Sequence, residues 1–279
     1  MDLQRLKKEL NDTGKENPLF SLHGQRPKKD EIIAWIKDLQ ALLFPGYFQP
    51  ACGVLSDTDA LLSDTAGRLS SLLEKSTLAP EKILYTVDAF MDRLPAVKAL
   101  LLKDVQAFYE GDPAAKNTEE VLLCYPGFFA IFIYRLAHEL HLLSVPLLPR
   151  MMTEYAHEKT GVDIHPGATV GEYFFIDHAT GIVVGETTVI GSHVKLYQGV
   201  TLGAKSFELD ENGNPVKNIK RHPNIGNNVI IYANATILGG NTTVGDGCVI
   251  GASVWLTRSV PAGTTLYYTP NQKTSSDLE

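Results

Sequence analysis

The second half of the chain contains an imidazole and carboxylates at spacings that could activate an alcohol. His178 follows Asp177 in the run Ile176-Asp177-His178-Ala179, and Asp163 occurs earlier, before His165. A carboxylate that accepts the proton of one imidazole nitrogen leaves the other nitrogen free as a base. Deprotonating an alcohol near neutral pH requires such a base. The pattern therefore predicts a His–Asp dyad that promotes direct acyl transfer without a protein nucleophile.

The other histidines have simpler explanations. His165 and His193, each taken alone, are better read as hydrogen-bonded corner residues. Some proteins with a related repeat, the γ-class carbonic anhydrases, bind Zn²⁺ through histidines that include an H-x4-H pair. No such pair occurs here, and His138 and His141 have a spacing typical of a solvated helix face. We expect no metal.

Asp163, Asp177 and His178 lie in or beside a six-residue repeat. A period of six is neither that of a helix nor that of a simple strand. A branched aliphatic recurs every six residues and is often followed by Gly or Asp. A repeat of this kind predicts a parallel β-helix. The aliphatic positions are Ile164, Val170, Ile176 and Ile182, then, after a two-residue slip, Val184, Ile190, Leu196 and Leu202, and later Ile225, Ile231, Leu238, Val244, Ile250 and Leu256.

Each six-residue unit should form one short strand and one corner. The aliphatic fills the interior, and Gly or Asn takes the tight turn. Three units close a triangular coil of ~18 residues, which would place Asp163 and His178 on adjacent coils. A second interior residue is expected four positions after each aliphatic, at Val194, Val200, Val229, Ala235, Cys248 and Val254.

One polar stretch, residues 204–223, interrupts the repeat. It carries the turn signal Asn212-Gly213-Asn214-Pro215 and lacks aliphatics at the expected steps. An insertion of roughly 20 residues is uncommon unless it is functional or disordered. Because Lys205 lies at its start and Lys220-Arg221-His222 at its end, we interpret it as an active-site loop that handles an anion.

The first half of the chain has helical periodicity instead. Apolar residues recur at steps of three and four, as in Ile32, Ile36, Leu39 and Leu43. Prolines such as Pro80, Pro95 and Pro126 punctuate it at intervals suited to short helices. The predicted fold class is therefore α+β and multi-domain. It has an all-α domain at 1–158, a parallel β-helix at 159–266 with the loop 204–223 inserted, and a C-terminal tail at 267–279.

Composition excludes several classes of function. A formal net charge of -7 argues against nucleic acid as a partner, since phosphate binding needs clustered Lys and Arg. The most apolar stretch, 121–134, is too short to span a bilayer, and the charged N-terminus does not resemble a secretory signal. We expect a cytoplasmic protein without a membrane partner. Three widely spaced cysteines indicate buried, reduced thiols.

From about residue 105 to 262 the sequence resembles bacterial serine acetyltransferases. The carrying motifs are DIHPGATVG at 163–171, DHATGIVVGETTVIG at 177–191, QGVTLG at 198–203 and Arg221-His222-Pro223 after the loop. In the helical half, Asp112-Pro113-Ala114 resembles the segment that holds a substrate-binding aspartate. The resemblance implies that the β-helix is left-handed, against the usual right-handed crossover.

It also implies the roles of individual residues toward L-serine. His178 would remove the hydroxyl proton and Asp163 would orient His178. Asp112 and Asp177 would bind the ammonium, and Arg221 and His222 the carboxylate. Charge logic agrees, because a zwitterion needs anions at one end and a cation at the other. The implied contacts to the co-substrate acetyl-CoA are Gly203, Ala204, Ala233 and Ala252.

The family further implies a homotrimer, or a dimer of trimers, with active sites between β-helices. Many members end in isoleucine and bind O-acetylserine sulfhydrylase, whereas this chain ends in Leu278-Glu279, so we do not expect that complex. Two alternatives stay open. One is an acetyltransferase acting on a sugar or drug hydroxyl, which would give no reason for Asp112 and Arg221. The other is a non-catalytic scaffold or metal protein.

Overall fold

The first half of the chain is helical, as predicted. The computed structural model describes residues 1–15, 25–53 and 57–269, so most of the predicted tail, 270–279, lies outside the described residues. A short 3-10 turn, Pro80–Lys82, precedes the longest helix. The helices are α1 (Leu3–Lys15), α2 (Lys29–Leu43), α3 (Thr58–Glu74), α4 (Ile83–Gly111), α5 (Thr118–Cys124), α6 (Pro126–Leu142) and α7 (Leu148–Thr160).

The prolines behave differently from one another. Pro126 stands in the first turn of α6, where its missing N–H costs nothing. Pro95 was expected to break a helix, but α4 runs through it from Ile83 to Gly111. Proline in a helix interior removes one hydrogen bond and costs stability. Burial of the flanking side chains, including Phe90, Leu94 and Val97, offsets that cost.

The second half forms three parallel sheets, which build the faces of a left-handed parallel β-helix. The sheet orders are β1-β4-β7-β10-β13, β2-β5-β8-β11 and β3-β6-β9-β12-β14. The strands are β1 (Asp163–Ile164), β2 (Thr169–Val170), β3 (Phe175–Ile176), β4 (Val183–Val184), β5 (Val189–Ile190), β6 (Lys195–Leu196), β7 (Thr201–Gly203), β8 (Asn224–Ile225), β9 (Ile230–Ile231), β10 (Thr236–Leu238), β11 (Thr243–Val244), β12 (Val249–Ile250), β13 (Trp255–Leu256) and β14 (Thr265–Leu266).

The interior follows the predicted repeat with one shift. The buried aliphatic of β10 is Ile237, which pairs in register with Leu202. Leu238, the predicted position, is only partly buried. Successive residues of a strand point to opposite faces, so a shift by one residue reverses which side chain is inside. The predicted second interior positions Val194, Val200, Val229, Ala235, Cys248 and Val254 are all buried.

The two-residue slip has a definite place in the structure. Ile182 is fully buried as a second interior residue, and Val184 is the strand aliphatic. The extra residues therefore fall at the corner after Ile176, where His178 and Ala179 both have positive φ, at 56° and 68°. Asp163 consequently pairs across the coil with Val183, and this coil is longer than ~18 residues.

A buried ion pair joins the helical half to the first coils. The guanidinium of Arg135 donates to both carboxylate oxygens of Asp104, at 2.9 Å each, and to the carbonyls of Val170 and Gly171 at 2.7 Å. Asp104 also accepts from the backbone N–H of Phe174 at 3.0 Å. Both charged side chains are almost fully buried. This network orients α4 and α6 against the β-helix.

The helices and the cysteines bear on two further expectations, the absence of a membrane span and the burial of the thiols. Within the described ranges, no single helix has the length and apolarity to cross a bilayer. Only α5 and α6 together, bent by 75°, meet that measure. The thiols were expected to be buried, but only Cys248 is, while Cys52 and Cys124 are exposed. The exposed pair lies in the helical half, where no six-residue repeat constrains burial.

Candidate active site

His178 projects from the enlarged corner that follows β3. Its side chain is 69% exposed, whereas the neighbouring Asp177 is 18% exposed. His178 Nε2 lies 3.8 Å from Asp177 Oδ1. A left-handed backbone is uncommon for residues other than glycine, and such residues cluster at functional sites. The corner therefore presents an accessible imidazole beside a carboxylate.

Asp112 lies at the same corner, at the C-terminal end of α4. Its Oδ2 accepts the hydroxyl of Tyr125 at 2.6 Å, and its Oδ1 accepts the N–H of Ala114 at 2.8 Å. The Tyr125 hydrogen bond is the main reason that the pKa of Asp112 is lowered, and the nearby charges of His178 and Lys195 add to this. Asp112 is thus held as an anion close to His178.

Tyr125 donates to Asp112 and lies within the electrostatic influence of Asp177. Its pKa is raised, first by the hydrogen bond to Asp112, then by burial and by nearby negative charges that include Asp177. The phenol therefore stays protonated and keeps donating to Asp112. Asp112, Asp177 and His178 form what we call the acidic corner. Its residues come from the end of α4 and the turn after β3.

Close packing brings the end of α4 to this turn. A Cβ on Gly111 would lie 2.9 Å from the ring of Phe175, and one on Gly127 would lie 2.7 Å from the carbonyl of Ile176. Lys195 donates to the Gly111 carbonyl at 3.1 Å. Glycine is required here because any larger side chain would push the helices away from the coil. This spacing sets the position of Asp112.

Above the acidic corner, the same edge of the β-helix carries aromatic and small residues. Asp177, Tyr197 and Tyr232 each follow an aligned strand of one sheet. The Tyr197 and Tyr232 rings stack at 4.9 Å with an 18° interplanar angle. Ala233 follows Tyr232, and Ala252 is exposed at the same edge one coil further on. The predicted Ala233 and Ala252 positions therefore continue the line that begins at His178.

Arg221 and His222 lie at a different corner, which we call the basic corner. Arg221 Nη2 pairs with Glu186 Oε2 at 2.5 Å. The Nδ1 of His222 lies 3.0 Å from the backbone N–H of Thr187 and 2.9 Å from its hydroxyl. Burial opposes ionisation of Glu186, but the hydrogen bond to Arg221 and the nearby His165 keep its pKa below the usual value.

Burial dominates the histidines of the basic corner. His222 is 7% exposed, and burial together with the adjacent Arg221 charge lowers its pKa to about 4. Burial also lowers the pKa of His165, whose Nδ1 accepts the N–H of Gly167 at 3.0 Å. Both imidazoles are therefore neutral near pH 7. His193, by contrast, is exposed and stacks on Tyr173 at 4.4 Å.

Asp163 does not meet His178 within one chain. Its carboxylate pairs with Arg150 at 3.3 Å, and its charge acts on His165. No hydrogen bond or ion pair joins it to His178 in the described part of the chain. Glu154, His157 and Asp163 also place possible metal-ligand atoms within 4.8 Å of one another. Arg150 already pairs with Glu154 and Asp163, so it competes with any cation there.

The predicted site residues thus fall into two groups. Asp112, Asp177 and His178 lie before β4, and Arg221 and His222 pack on the residues just after it. Over residues 1–15, 25–53 and 57–269, no hydrogen bond or ion pair connects the two corners. Both corners border the sheet that contains β1 and β4. The two corners therefore lie at opposite ends of β4.

The inserted loop borders the basic corner. Residues 204–223 follow β7, which ends at Gly203, and precede β8. The Asp210 carboxylate accepts the N–H groups of Asn212 and Asn214 at 2.9 Å each and closes the loop's own turn. A cavity of about 790 Å³ lies between the loop and the coil and is lined by Glu186, Phe207, Asp210, Asn214, Pro215, Val216, Lys217, Asn218 and Arg221.

Several of these contacts were not predicted from the sequence. Tyr125, Glu186 and Thr187 contact the predicted residues directly. Glu186 and Thr187 follow Gly185 at a corner of the six-residue repeat. Polar residues are common at such corners, so the sequence gives no sign of their contacts. Tyr125 immediately precedes Pro126, which indicates a chain turn but no partner. Only the helix-to-coil packing reveals these roles.

Comparison with known proteins shows which family the chain resembles. The family model described as "Serine acetyltransferase, N-terminal" matches residues 53–132. A relative from Synechococcus elongatus, "Serine acetyltransferase, plasmid", is 44% identical over 257 residues, covering 85% of this chain and 80% of the relative. The match thus extends across both halves of the chain.

Solved structures agree as well. Serine acetyltransferase 1 from Entamoeba histolytica in complex with L-cysteine has a TM-score of 0.77 at 32% identity, with 94% of this chain and 96% of that chain covered. A serine acetyltransferase from Brucella abortus in complex with coenzyme A has a TM-score of 0.60 at 29% identity, with 96% and 87% covered. The chain belongs to the serine acetyltransferase family.

Proposed function

We propose that this protein transfers the acetyl group of acetyl-CoA to the hydroxyl of L-serine and yields O-acetyl-L-serine, the acetylated precursor in cysteine biosynthesis. The acidic corner carries this proposal, because it places two carboxylates beside an exposed imidazole. An uncharged acceptor would give no reason for that charge. Serine needs anions at its ammonium and a base at its hydroxyl, and the relatives are named for the same activity.

The chemistry assigned to His178 is general-base catalysis. Its free nitrogen accepts the hydroxyl proton of serine as the oxygen attacks the thioester carbonyl of acetyl-CoA. A tetrahedral oxyanion forms, the C–S bond breaks, and the proton held by His178 passes to the departing thiolate. Asp112 and Asp177 hold the ammonium during these steps. The base is thereby returned to its starting state with O-acetylserine and CoA as products.

The carboxylate of serine is assigned to Arg221 and His222 of a second copy. A guanidinium can bind a carboxylate through two parallel hydrogen bonds, and Arg221 is half-buried at the basic corner. Since the two corners of one copy do not contact each other, the acidic corner of one copy must meet the basic corner of the next. A heterologous contact of this kind can close into a ring, which is compatible with the trimer expected from the resemblance.

Asp163 fits the same arrangement. Its charge acts on His165 at the basic corner. It occupies the sheet that the two corners border. We assign it to orient His178 of the neighbouring copy, so the predicted dyad would form between subunits. Arg150, its present partner at 3.3 Å, is partly exposed and can give way to an imidazole.

Acetyl-CoA is assigned to the edge above the acidic corner. Small side chains at Ala233 and Ala252 leave backbone accessible along this edge, and Tyr197 and Tyr232 border it with a stacked apolar surface. Gly203 and Ala204, half-buried at the end of β7, begin the loop and can contact the co-substrate from the neighbouring copy. The thioester would then lie at His178 and the nucleotide toward the C-terminal coils.

Mixing two inactive variants tests both the activity and the shared site. His178→Asn removes the base and Arg221→Ala removes the carboxylate ligand, so each alone should transfer little acetyl from acetyl-CoA to L-serine, as measured with a thiol reagent. After co-refolding in equal amounts, about a quarter of the sites in a trimer combine two intact corners, and a similar share of activity should return. Failure of wild-type protein to acetylate serine contradicts the activity. Absence of recovery contradicts the shared site.

A further inference from the structure

We propose that Thr187 is a positioning residue that fixes His222 as a neutral imidazole with its proton on Nε2, so that His222 acts as a hydrogen-bond donor to the substrate. The inference rests on the proposed function only for what His222 binds. The tautomer itself follows from the contacts of the basic corner. Nothing in the sequence motif distinguishes Thr187 from the other threonines of the coils.

Thr187 contacts His222 through both its backbone and its side chain. Its backbone N–H points to His222 Nδ1 at 3.0 Å, and its hydroxyl lies 2.9 Å from the same nitrogen. The hydroxyl oxygen also accepts the backbone N–H of Arg221 at 3.0 Å and of His222 at 3.1 Å. The carbonyl of Thr187 accepts the ammonium of Lys220. Thr187 therefore anchors residues 220–222, where the inserted loop rejoins the coil.

These contacts determine the proton position on His222. A backbone N–H is always a donor, so the nitrogen that it contacts must carry a lone pair. Nδ1 of His222 is therefore unprotonated, and the proton of the neutral ring lies on Nε2. The Thr187 hydroxyl can add its own proton to the same lone pair, since its oxygen already accepts two N–H groups.

The surroundings keep the ring neutral and in place. The ring lies on Gly185, where a Cβ would come within 2.1 Å of Cδ2. The charged and titratable groups that face it are Arg221 and Lys220, which disfavour a positive ring, and Glu186 and His165. Arg221 thus supplies the positive charge for the substrate carboxylate, and His222 supplies a directed donor that does not change charge near neutral pH.

The hydroxyl of Thr187 can be tested against a matched neighbour. Thr187→Val keeps the shape but leaves two N–H groups without their acceptor. Thr188→Val makes the same change at the adjacent buried threonine, whose hydroxyl has no hydrogen-bond partner in the described residues. Thr187→Val should lower kcat/KM for L-serine on the order of tenfold, Thr187→Ser should retain most of it, and Thr188→Val should match wild type. Equal values for the two valine variants would overturn the proposal.

A spectroscopic measurement tests the tautomer without any assay of activity. In protein labelled with ¹⁵N-histidine, the His222 signals are those that disappear in His222→Gln. At pH 6 wild type should show a protonated Nε2 and an unprotonated Nδ1, and Thr187→Val, which keeps the backbone N–H but loses the hydroxyl contact, should show the same tautomer with a shifted Nδ1 signal. A charged or Nδ1-protonated His222 in wild type would overturn the proposal. Because this result needs no serine, it is separate from a failure of the proposed function.

Discussion

The hydroxyl of Tyr125 donates to Asp112 across 2.6 Å, so a residue between two helices orients a carboxylate at the mouth of a β-helix corner. This contact lowers the pKa of Asp112 and keeps it anionic. It also shows how the helical half contributes to the site, since α4 and the start of α6 supply the acid and its partner. The β-helix alone would present His178 and Asp177 without a second anion.

Removing the Tyr125 hydroxyl should weaken serine binding. A net hydrogen-bond loss of about 1 kcal/mol predicts a roughly fivefold higher KM for serine in Tyr125→Phe, with kcat less affected. Tyr47→Phe is the matched control, because its hydroxyl also contacts a carboxylate, Glu119 at 3.1 Å, on an exposed surface. Equal effects of the two substitutions on KM would show that Tyr125 does not support the site.

Neutralising Asp112 should affect the amino acid and not the acyl donor. Asp112→Asn keeps the shape but removes the charge that faces the ammonium, and charged hydrogen bonds contribute about 1.5–3 kcal/mol. We expect KM for serine to rise about 10- to 100-fold while KM for acetyl-CoA stays near wild type. Glu110→Gln, at an exposed residue bonded to Gln106, serves as the control. A rise in both KM values for Asp112→Asn would point to a structural effect.

The buried His222 should make stability depend on pH. Its folded-state pKa of about 4 lies below the ordinary value of about 6.5, so between these values the unfolded chain binds more protons. Stability is therefore full above about pH 6.5 and falls as pH drops toward 4, by about 2 kcal/mol between pH 8 and pH 5. Urea unfolding of wild type and His222→Gln at both values measures this. The control His193→Gln should lose as much stability between pH 8 and pH 5 as wild type. An equal loss of stability in His222→Gln and wild type would refute the assignment.

Removing one partner of the buried Asp104–Arg135 pair should strongly destabilise the junction. Asp104→Asn leaves a buried guanidinium without its counter-charge, which costs about 3–5 kcal/mol. Glu172→Gln breaks an exposed pair with Lys103 at 2.7 Å and should cost less than about 1 kcal/mol. Chemical denaturation compares the two. A small effect of Asp104→Asn would mean that the junction does not depend on this pair.

Much of the fold could be predicted because the six-residue period indicates which residues of each coil form strands and which form corners. Val194, Val200 and Cys248 are interior as expected, since each coil buries the same step of the six-residue frame. The exceptions occur where the frame changes length. Ile237 replaces Leu238 as the interior residue of β10, before the longer step to Val244, and Ile182 is interior only as the second residue of its unit. Single-residue shifts of this kind leave little trace in composition.

The site was predictable in its residue types but not in its grouping. His178 and Asp177 are sequence neighbours at one corner, and Asp112 reaches the same corner from the end of α4. Within one chain Asp163 aligns with Val183 and pairs with Arg150, a partner that spacing alone does not indicate. Tyr125 and Thr187 belong to packing between distant segments, which no local pattern records.

If His178 is the general base, a single substitution at this position should remove most of the catalysis. His178→Asn removes the basic nitrogen, while Asn tolerates the positive φ of this corner. His193→Asn makes the same change at another left-handed corner, with φ 58°. We predict that kcat for acetyl transfer to serine falls by about 10²–10⁴ in His178→Asn, with the fold and assembly unchanged, and stays near wild type in His193→Asn. A folded His178→Asn protein that keeps kcat within about tenfold of wild type would show that His178 is not the base.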